Sequence, residues 1–431
     1  MTVMPFTTSS FETALLPGLQ RTVPVRHTPH EAVAAVSDGA GPISLRLIDD
    51  RSAFNALEAE WTALFDRAGR PEQLFQSFGW LWHWCNHFLA PRGAKPTLAI
   101  VTGHRDGRLV LVCPFVATRS GGLTTLSFMG DPVSQYGDVL VEDGPHGVRD
   151  LTAAFDFVVA QAGVDLVNLR KVRSDAAIAP VLRERGVILT DVQKAPYVAF
   201  EGVADYEVFE KRFAKAARKN RRRQLRRLQD TGVTSFQRLA SGAAASDAAS
   251  VALGLKRDWL RKRGLVSPAV MDVRTEGFFR DCASGRGPAT GVEIGAVLSN
   301  GTVAAIEIAI QCKDRVALHL IAYDPRFEKT GAGALLMEDS IRRACQSGQR
   351  ELDLLAPGTA YKFDWADRSV DVSDCALGLS TAGRLYVALF LKRIRPAAKF
   401  AVEHLPTTLR RHLATVAGAA LLLMANRGGV T

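Results

Sequence analysis

Hydrophobic positions recur along the chain with two periods, and the switches between them mark out the elements. Ile43–Ile48 alternates apolar and polar residues as a half-buried strand does, whereas residues 54–65 (FNALEAEWTALF) space theirs as one face of a helix. Residues 75–88 are denser. Phe78, Trp80, Leu81, Trp82, Trp84 and Phe88 crowd one helix, which reads as a buried aromatic core in preference to a sugar-stacking platform. Residues 98–103 and 108–117 are strand patterns on either side of His104-Arg105-Asp106-Gly107, whose Asp-Gly marks a hairpin. A short strand at 139–141, a helix near 150–162 and a strand at 165–169 close this half.

The second half repeats that plan. Strands at 295–299 and 302–310 are joined through Asn300-Gly301, the strongest short hairpin signal, and residues 316–323 form a β-branched and apolar strand. Gly331 and Gly333 then flank Ala332, with Leu335, Leu336, Asp339, Arg342 and Arg343 following at helical spacing. The strand at 351–355 corresponds to that at 165–169. These patterns predict an α/β fold of mixed sheets in two tandem units, with a C-terminal helical tail. In that tail residues 385–390 and 413–425 are apolar, with Lys392, Arg393, Arg395, Arg410 and Arg411 beside them. The longer run is below the roughly twenty residues that span a bilayer, so it is expected to pack on the protein or lie on an anionic leaflet.

Length agrees with the tandem plan, since 431 residues exceed one ordinary core. The expected division is a mobile tail at 1–42, a first unit at 43–200, a second at 201–383 and the basic, apolar tail at 384–431. The six cysteines show no C-x-x-C spacing and mostly sit in apolar runs. That argues against a zinc site or a disulfide framework and for a reducing, cytoplasmic setting. The formal net charge of +10 is matched by one segment. Between Lys211 and Arg227 stand ten basic residues, Arg218 and Arg222 among them, and no acid. Phe209, Phe213, Ala217, Gln224 and Leu228 follow a helical stripe there, so one face is expected to pack and the rest to form a positive ridge. No aromatic interleaving for base stacking appears, which disfavours nucleic acid against an anionic small substrate or membrane headgroups.

Candidate chemistry centres on the glycine pair. Unpaired N–H groups at a helix start carry partial positive charge, and a side-chain-free loop there lets a pyrophosphate approach. A nucleotide P-loop would need Lys-Ser/Thr where Ala334-Leu335 stand, and the G-x-G-x-x-G pattern of a dinucleotide fold is not completed. An isolated carboxylate at Glu307, mid-strand in AAIEIAI, would have a raised pKa if buried. His319, mid-strand in VALHLIAY, has the ordinary pKa of a base. With an even-numbered turn through 312–315 the two point to opposite faces.

Residues 322–366, AYDPRFEKTGAGALLMEDSIRRACQSGQRELDLLAPGTAYKFDWA, resemble the CelD/BcsL-type branch of the GNAT acyltransferases. LFQSFGWLWHWCNHF, LSFMGDPVSQYGDVLV and FEKRFAKAARKNRRRQLRRLQDTG resemble blocks of that branch in the same order, so the likeness covers about 43–379. It implies tandem GNAT-like units and a co-substrate, acetyl-CoA or another acyl-CoA. The loop Lys329, Gly331, Ala332, Gly333 and Ala334 would hold the pyrophosphate, and Ile321 and Tyr323 the pantetheine arm. Glu328 stands where the superfamily usually has Gln or Arg. The first unit has DGPHGVRD in place of a glycine loop, so only the second is expected to bind acyl-CoA. Asp353, Tyr361 and Lys362 match the family's D…YK positions: Asp353 and Tyr361 become catalytic candidates beside Glu307 and His319, with Tyr361 protonating a thiolate or binding substrate and Lys362 holding an anionic group. Tyr136 and Asp138 match another block and, with Arg218 and Arg222, are candidates for binding a small-molecule or saccharide acceptor. Fem-type transferases, which also pair two such units, are similar and imply a substrate cleft between them. The rivals to an acyltransferase are a non-catalytic protein assisting exopolysaccharide synthesis, in peripheral contact with the membrane, and an aminoacyl-tRNA-dependent transferase of Fem type. No metal is expected.

Overall fold

The computed structural model describes residues 33–36, 42–89, 96–265 and 267–404. These form two compact units, one built on residues up to 193 together with 370–401 and the other on 194–369. These units meet at 193/194 and 369/370, against expected boundaries of 200/201 and 383/384. The chain returns to the first unit at Val370, and the helical turns from Thr381 onward pack there through Val387 and Leu391 against Leu166 and Ala376. Most of the expected mobile tail, and the apolar run 413–425, lie outside the described residues. Within that tail Val33–Val36 is a strand paired antiparallel with Ile43–Ile48.

The first unit holds two sheets. One is antiparallel and runs Val33–Val36, Ile43–Ile48, Ile100–Arg105, Arg108–Cys113, Leu140–Val141. The other runs Thr97–Leu98, Phe115–Ser120, Leu123–Phe128, Leu166–Arg173 and then residues 372–378. Residues 108–117, expected as one strand, are thus two strands in different sheets. Pro114 lies at the break, where its missing N–H cannot continue a ladder. The aromatic helix is Phe78–Phe88, capped by Ser77, and Phe78, Trp80, Trp84 and Phe88 are buried as a core requires. Asp106 and Asn300 both adopt positive φ ahead of a glycine, the backbone that the two predicted hairpin turns demand.

The second unit is a sheet in the order Thr234–Leu239, Val292–Ser299, Thr302–Cys312, Arg315–Tyr323, Glu351–Asp353, closed by Tyr197–Ala199. On one face pack the helices Ala332–Gln346 and Lys215–Gln229, burying Leu228, Leu335 and Leu336 against Val297 and Ala305. Ala243–Arg263 and Val273–Ser284 pack together on the other. The element order strand, helices, strands, helix, strand matches that of the first unit.

The basic segment is not one helix. Tyr206–Glu210 and Lys215–Gln229 are separated because Phe213 turns inward onto Phe209 and Trp365. One of its ten bases is inside: Arg221 is buried, paired with Glu338 at 2.9 Å and held over the rings of Phe213 and Trp365. Removing one partner of a buried ion pair strands the other. Arg221→Ala is therefore expected to cost about 3–5 kcal/mol in urea unfolding, while truncating exposed Arg223 changes little.

Candidate active site

The strands Arg315–Tyr323 and Glu351–Asp353 are parallel neighbours over only three residue pairs, ending at Ala317 and Asp353. Beyond that point they have no mutual pairing, and the outer edge of the first strand is open. Its carbonyl at Ile321 accepts a hydrogen bond from Lys256 Nζ at 3.3 Å, reached from the helix Ala243–Arg263. On the other side of the split the chain leaves Asp353, places Leu355 at a left-handed φ of 60°, and directs the Leu355 carbonyl to Lys362 Nζ at 2.9 Å. A leucine at positive φ is a strained exception, held here by surrounding packing.

Lys362 is buried, and no carboxylate among the described residues is in ion-pair contact with it. Burial brings its pKa down to about 7, and the charge of Lys256 pushes the same way against the pull of Asp353. Lys256 is itself brought down to about 8 by desolvation, with Arg263 adding to the shift. Two amines with lowered pKa values thus flank the split, Lys362 buried and Lys256 half-buried. An amine with a pKa near 7 is about half neutral at physiological pH, the condition for a general base.

The helix Ala332–Gln346 starts at the predicted glycines. Gly331 caps it at φ 74°, and no acceptor among the described residues takes the N–H groups of Ala332 and Gly333. A Cβ on Gly331 would meet the Gln224 side chain at 2.4 Å, so this glycine is needed for packing as well as for its φ. A Cβ on Gly333 would meet only Tyr323, at 3.6 Å. The Cβ side of Gly333 is thus open, and a loop without side chains at a helix start is what a pyrophosphate cradle requires. Ala334 continues this turn, Lys329 is exposed beside it, and Glu328 is offset by Arg263 at 3.3 Å. Tyr323 joins the cluster, its hydroxyl donating to Glu328 at 3.1 Å and accepting from Trp259 and Arg263.

The remaining predicted residues are placed as follows. Glu307 has no exposed surface; Arg238 pairs with it at 2.6 Å and Ser340 donates to it at 2.5 Å, so it faces the glycine-loop helix. Its carboxyl is raised by burial, with Arg238 opposing. His319 faces the other layer, its ring 4.8 Å from Phe279, so the two lie on opposite faces as alternation requires. Ile308 pairs with Leu320 and Ala309 with Leu318, which leaves His319 as the extra residue of a β-bulge. Asp353 is buried in an ion pair with Arg315 at 2.8 Å. Tyr361 is two-fifths exposed.

Arg218 is half-buried and Arg222 exposed on the ridge helix. In the first unit Tyr136 is buried under Arg173. Asp138 is tied up by Arg70, Gln73 and the N–H groups of Ala177 and Ile178, although burial raises its carboxyl. The structure thus gathers Ile321, Tyr323, Gly331, Gly333 and Lys362 around one split and helix start. Lys256, Trp259 and Arg263 join them without any sequence signal beyond a basic helix.

Residues 215–363 match the family model described as Acetyltransferase (GNAT) domain. No curated protein matches the sequence. Among solved structures the chain is similar to FemX, with 10% identity, a TM-score of 0.55, and coverage of 77% of this chain and 98% of that one. It is also similar to a conserved protein of unknown function from Bacteroides thetaiotaomicron VPI-5482, at 14% identity, a TM-score of 0.50, and coverage of 77% and 99%. At such identities the likeness is one of fold. The split strands and the glycine-started helix both fall within residues 215–363, the part of the second unit that matches the GNAT acetyltransferase domain.

Proposed function

We propose that the chain is an acyl-CoA-dependent N- or O-acyltransferase, of the CelD/BcsL type, acting on a sugar, a polysaccharide precursor or a related metabolite. The observation that carries this reading is the neutralisable Lys362 at the split, in the same unit as a helix start whose Ala332 and Gly333 N–H groups take no acceptor among the described residues. The acyl-CoA supplies an activated thioester carbonyl. Neutral Lys362 accepts the proton of an acceptor amine or hydroxyl as the acceptor's lone pair bonds to that carbonyl carbon and the C–S bond breaks. Tyr361, partly exposed next to it, returns a proton to the departing thiolate, and the positive Lys256 stabilises negative charge nearby. His319 and Glu307 remain the competing bases, one at the bulge and one sealed under the glycine-loop helix.

The test is thiol release from acetyl-CoA across a panel of amino sugars, neutral sugars and amines, with pH profiles of kcat/KM for wild type, His319→Gln and Glu307→Gln. The reading predicts acceptor-dependent release whose acidic limb survives in both variants. Loss of that limb in one variant alone assigns the base to that residue instead. Absence of release with every acceptor would count against transfer and for the non-catalytic alternative.

The ridge supports a further part of the proposal, engagement of an anionic acceptor or membrane surface. Arg222 is exposed and its nearest acid, Glu210, is 4.0 Å away. Arg218→Glu with Arg222→Glu is expected to weaken acceptor or liposome binding steeply at low salt and hardly at high salt, since exposed charges are screened beyond about 10 Å. No response at any ionic strength would leave the ridge a solvated face. No helix among the described residues is long and apolar enough to cross a membrane.

A further inference from the structure

The first unit contains a cavity of about 310 Å³, whose described lining residues all belong to it. Its floor is one face of the sheet, where Thr118, Thr125, Ser127 and Asn168 project side by side, and Trp84 and Tyr386 stand among the residues that line it. Thr125 and Leu166 belong to the short parallel pairing of Leu123–Phe128 with Leu166–Arg173, so the cavity lies where these strands part.

Two features of the site have no packing explanation. First, Asn168 is 6% exposed, lines the cavity, and has an amide oxygen without a hydrogen-bond partner. A buried polar atom left unpaired costs about 1–3 kcal/mol, and such atoms call for a ligand donor. Second, Arg170 and Lys171 both line the cavity although they are consecutive in a strand, where successive side chains point to opposite faces. The ladder explains how. Val172 pairs with Ser373 and Leu169 with Cys375, so Arg170 and Lys171 together oppose Asp374, and Lys171 takes a left-handed φ of 57°. This bulge turns the lysine onto the cavity face, at the strain cost of a non-glycine residue in that region.

The charges do not balance. Arg170, Lys171 and Arg395 contribute three cations, against the carboxylates of Asp131 and Asp374. Asp131 is taken by Arg170 at 3.1 Å, and Asp374 by Arg395 at 3.2 Å and by the Lys171 backbone N–H at 3.0 Å. The Lys171 ammonium has a carbonyl, that of Ser134 at 2.6 Å, and no carboxylate in ion-pair contact among the described residues. Its pKa is lowered to about 8 by burial, so it is still charged at neutral pH.

We infer that this cavity is a second binding site, for a hydroxylated organic anion of about monosaccharide size, its acidic group on Lys171 and its hydroxyls on Asn168 and the floor threonines and serine. The volume is at the lower end of the range for small-molecule sites, about 300–1,000 Å³. The inference stands whether or not the second unit transfers acyl groups.

The test is calorimetry on the full chain with three probes: glucuronate, glucose 6-phosphate and neutral glucose. At least one acid is expected to bind with Kd below about 1 mM, and at least tenfold more tightly than glucose. The stronger of the two acids tells carboxylate from phosphate. Lys171→Gly relaxes the backbone while removing the ammonium, so it should leave the unfolding midpoint unchanged or higher yet weaken the acid at least tenfold. Asn168→Leu should weaken it similarly, with Thr125→Val as the substitute if that variant does not fold. No binding of either acid, equal binding of glucose, or unchanged affinity in Lys171→Gly and Asn168→Leu would each overturn the assignment.

Discussion

Replacing Lys362 by Met is expected to lower kcat/KM by about 10²–10⁴-fold, the usual contribution of a general base, with little change in acetyl-CoA affinity. The wild-type profile should rise with pH through about 7, because burial and the neighbouring Lys256 bring the amine into that range and only its neutral form accepts a proton. Lys362→Arg, permanently charged, should be as inactive as Lys362→Met. Stability supplies an independent readout. The unfolded amine holds its proton up to about 10.4 whereas the folded one releases it near 7. Between these values the unfolded state binds more protons, so stability rises with pH across that window, and the penalty of the buried charge is fully present below it. Lys362→Met should flatten that rise. A Met variant with wild-type kcat/KM and an unaltered acidic limb would remove Lys362 from the chemistry.

Gly333→Asp is expected to abolish acetyl-CoA binding, a loss of more than about 100-fold, with the fold intact. A Cβ at this position has only Tyr323 nearby, at 3.6 Å, so the new side chain fits. Its carboxylate would then stand before the unpaired N–H groups of Ala332 and Gly333, where like charge against a pyrophosphate costs several kcal/mol. Gly333→Ala, which adds bulk without charge, should lose far less. Calorimetry on the two variants separates the electrostatic effect from the steric one, and equal affinity in wild type and Gly333→Asp would move the cradle elsewhere.

What the sequence shows of this molecule follows from how local each feature is. The Asp106-Gly107 and Asn300-Gly301 turns are legible because a two-residue hairpin demands positive φ at consecutive positions, and so few residue pairs supply it. The glycine-started helix is legible for the same reason. Pro114 could have divided residues 108–117 in advance, since a proline seldom sits within a paired strand. Phe213 could not, because its inward turn depends on Trp365, far along the chain. Arg221 looks like its basic neighbours until Glu338, Phe213 and Trp365 surround it. The bulges at His319 and Lys171 are matters of register between strands, and no local residue choice announces them. Lys256 belongs to the same class: it lies on a helix rich in bases, and only the fold brings it to the Ile321 carbonyl and near Lys362.

The most direct measurement is calorimetric titration of acetyl-CoA into the full wild-type chain at neutral pH, with S-acetylpantetheine, which lacks the pyrophosphate and the nucleotide, as the control. A saturable one-site isotherm that depends on the pyrophosphate is the predicted result. Heats no larger than dilution, or equal binding of the analogue without pyrophosphate, would contradict an acyl-CoA site at the Gly331–Gly333 helix start.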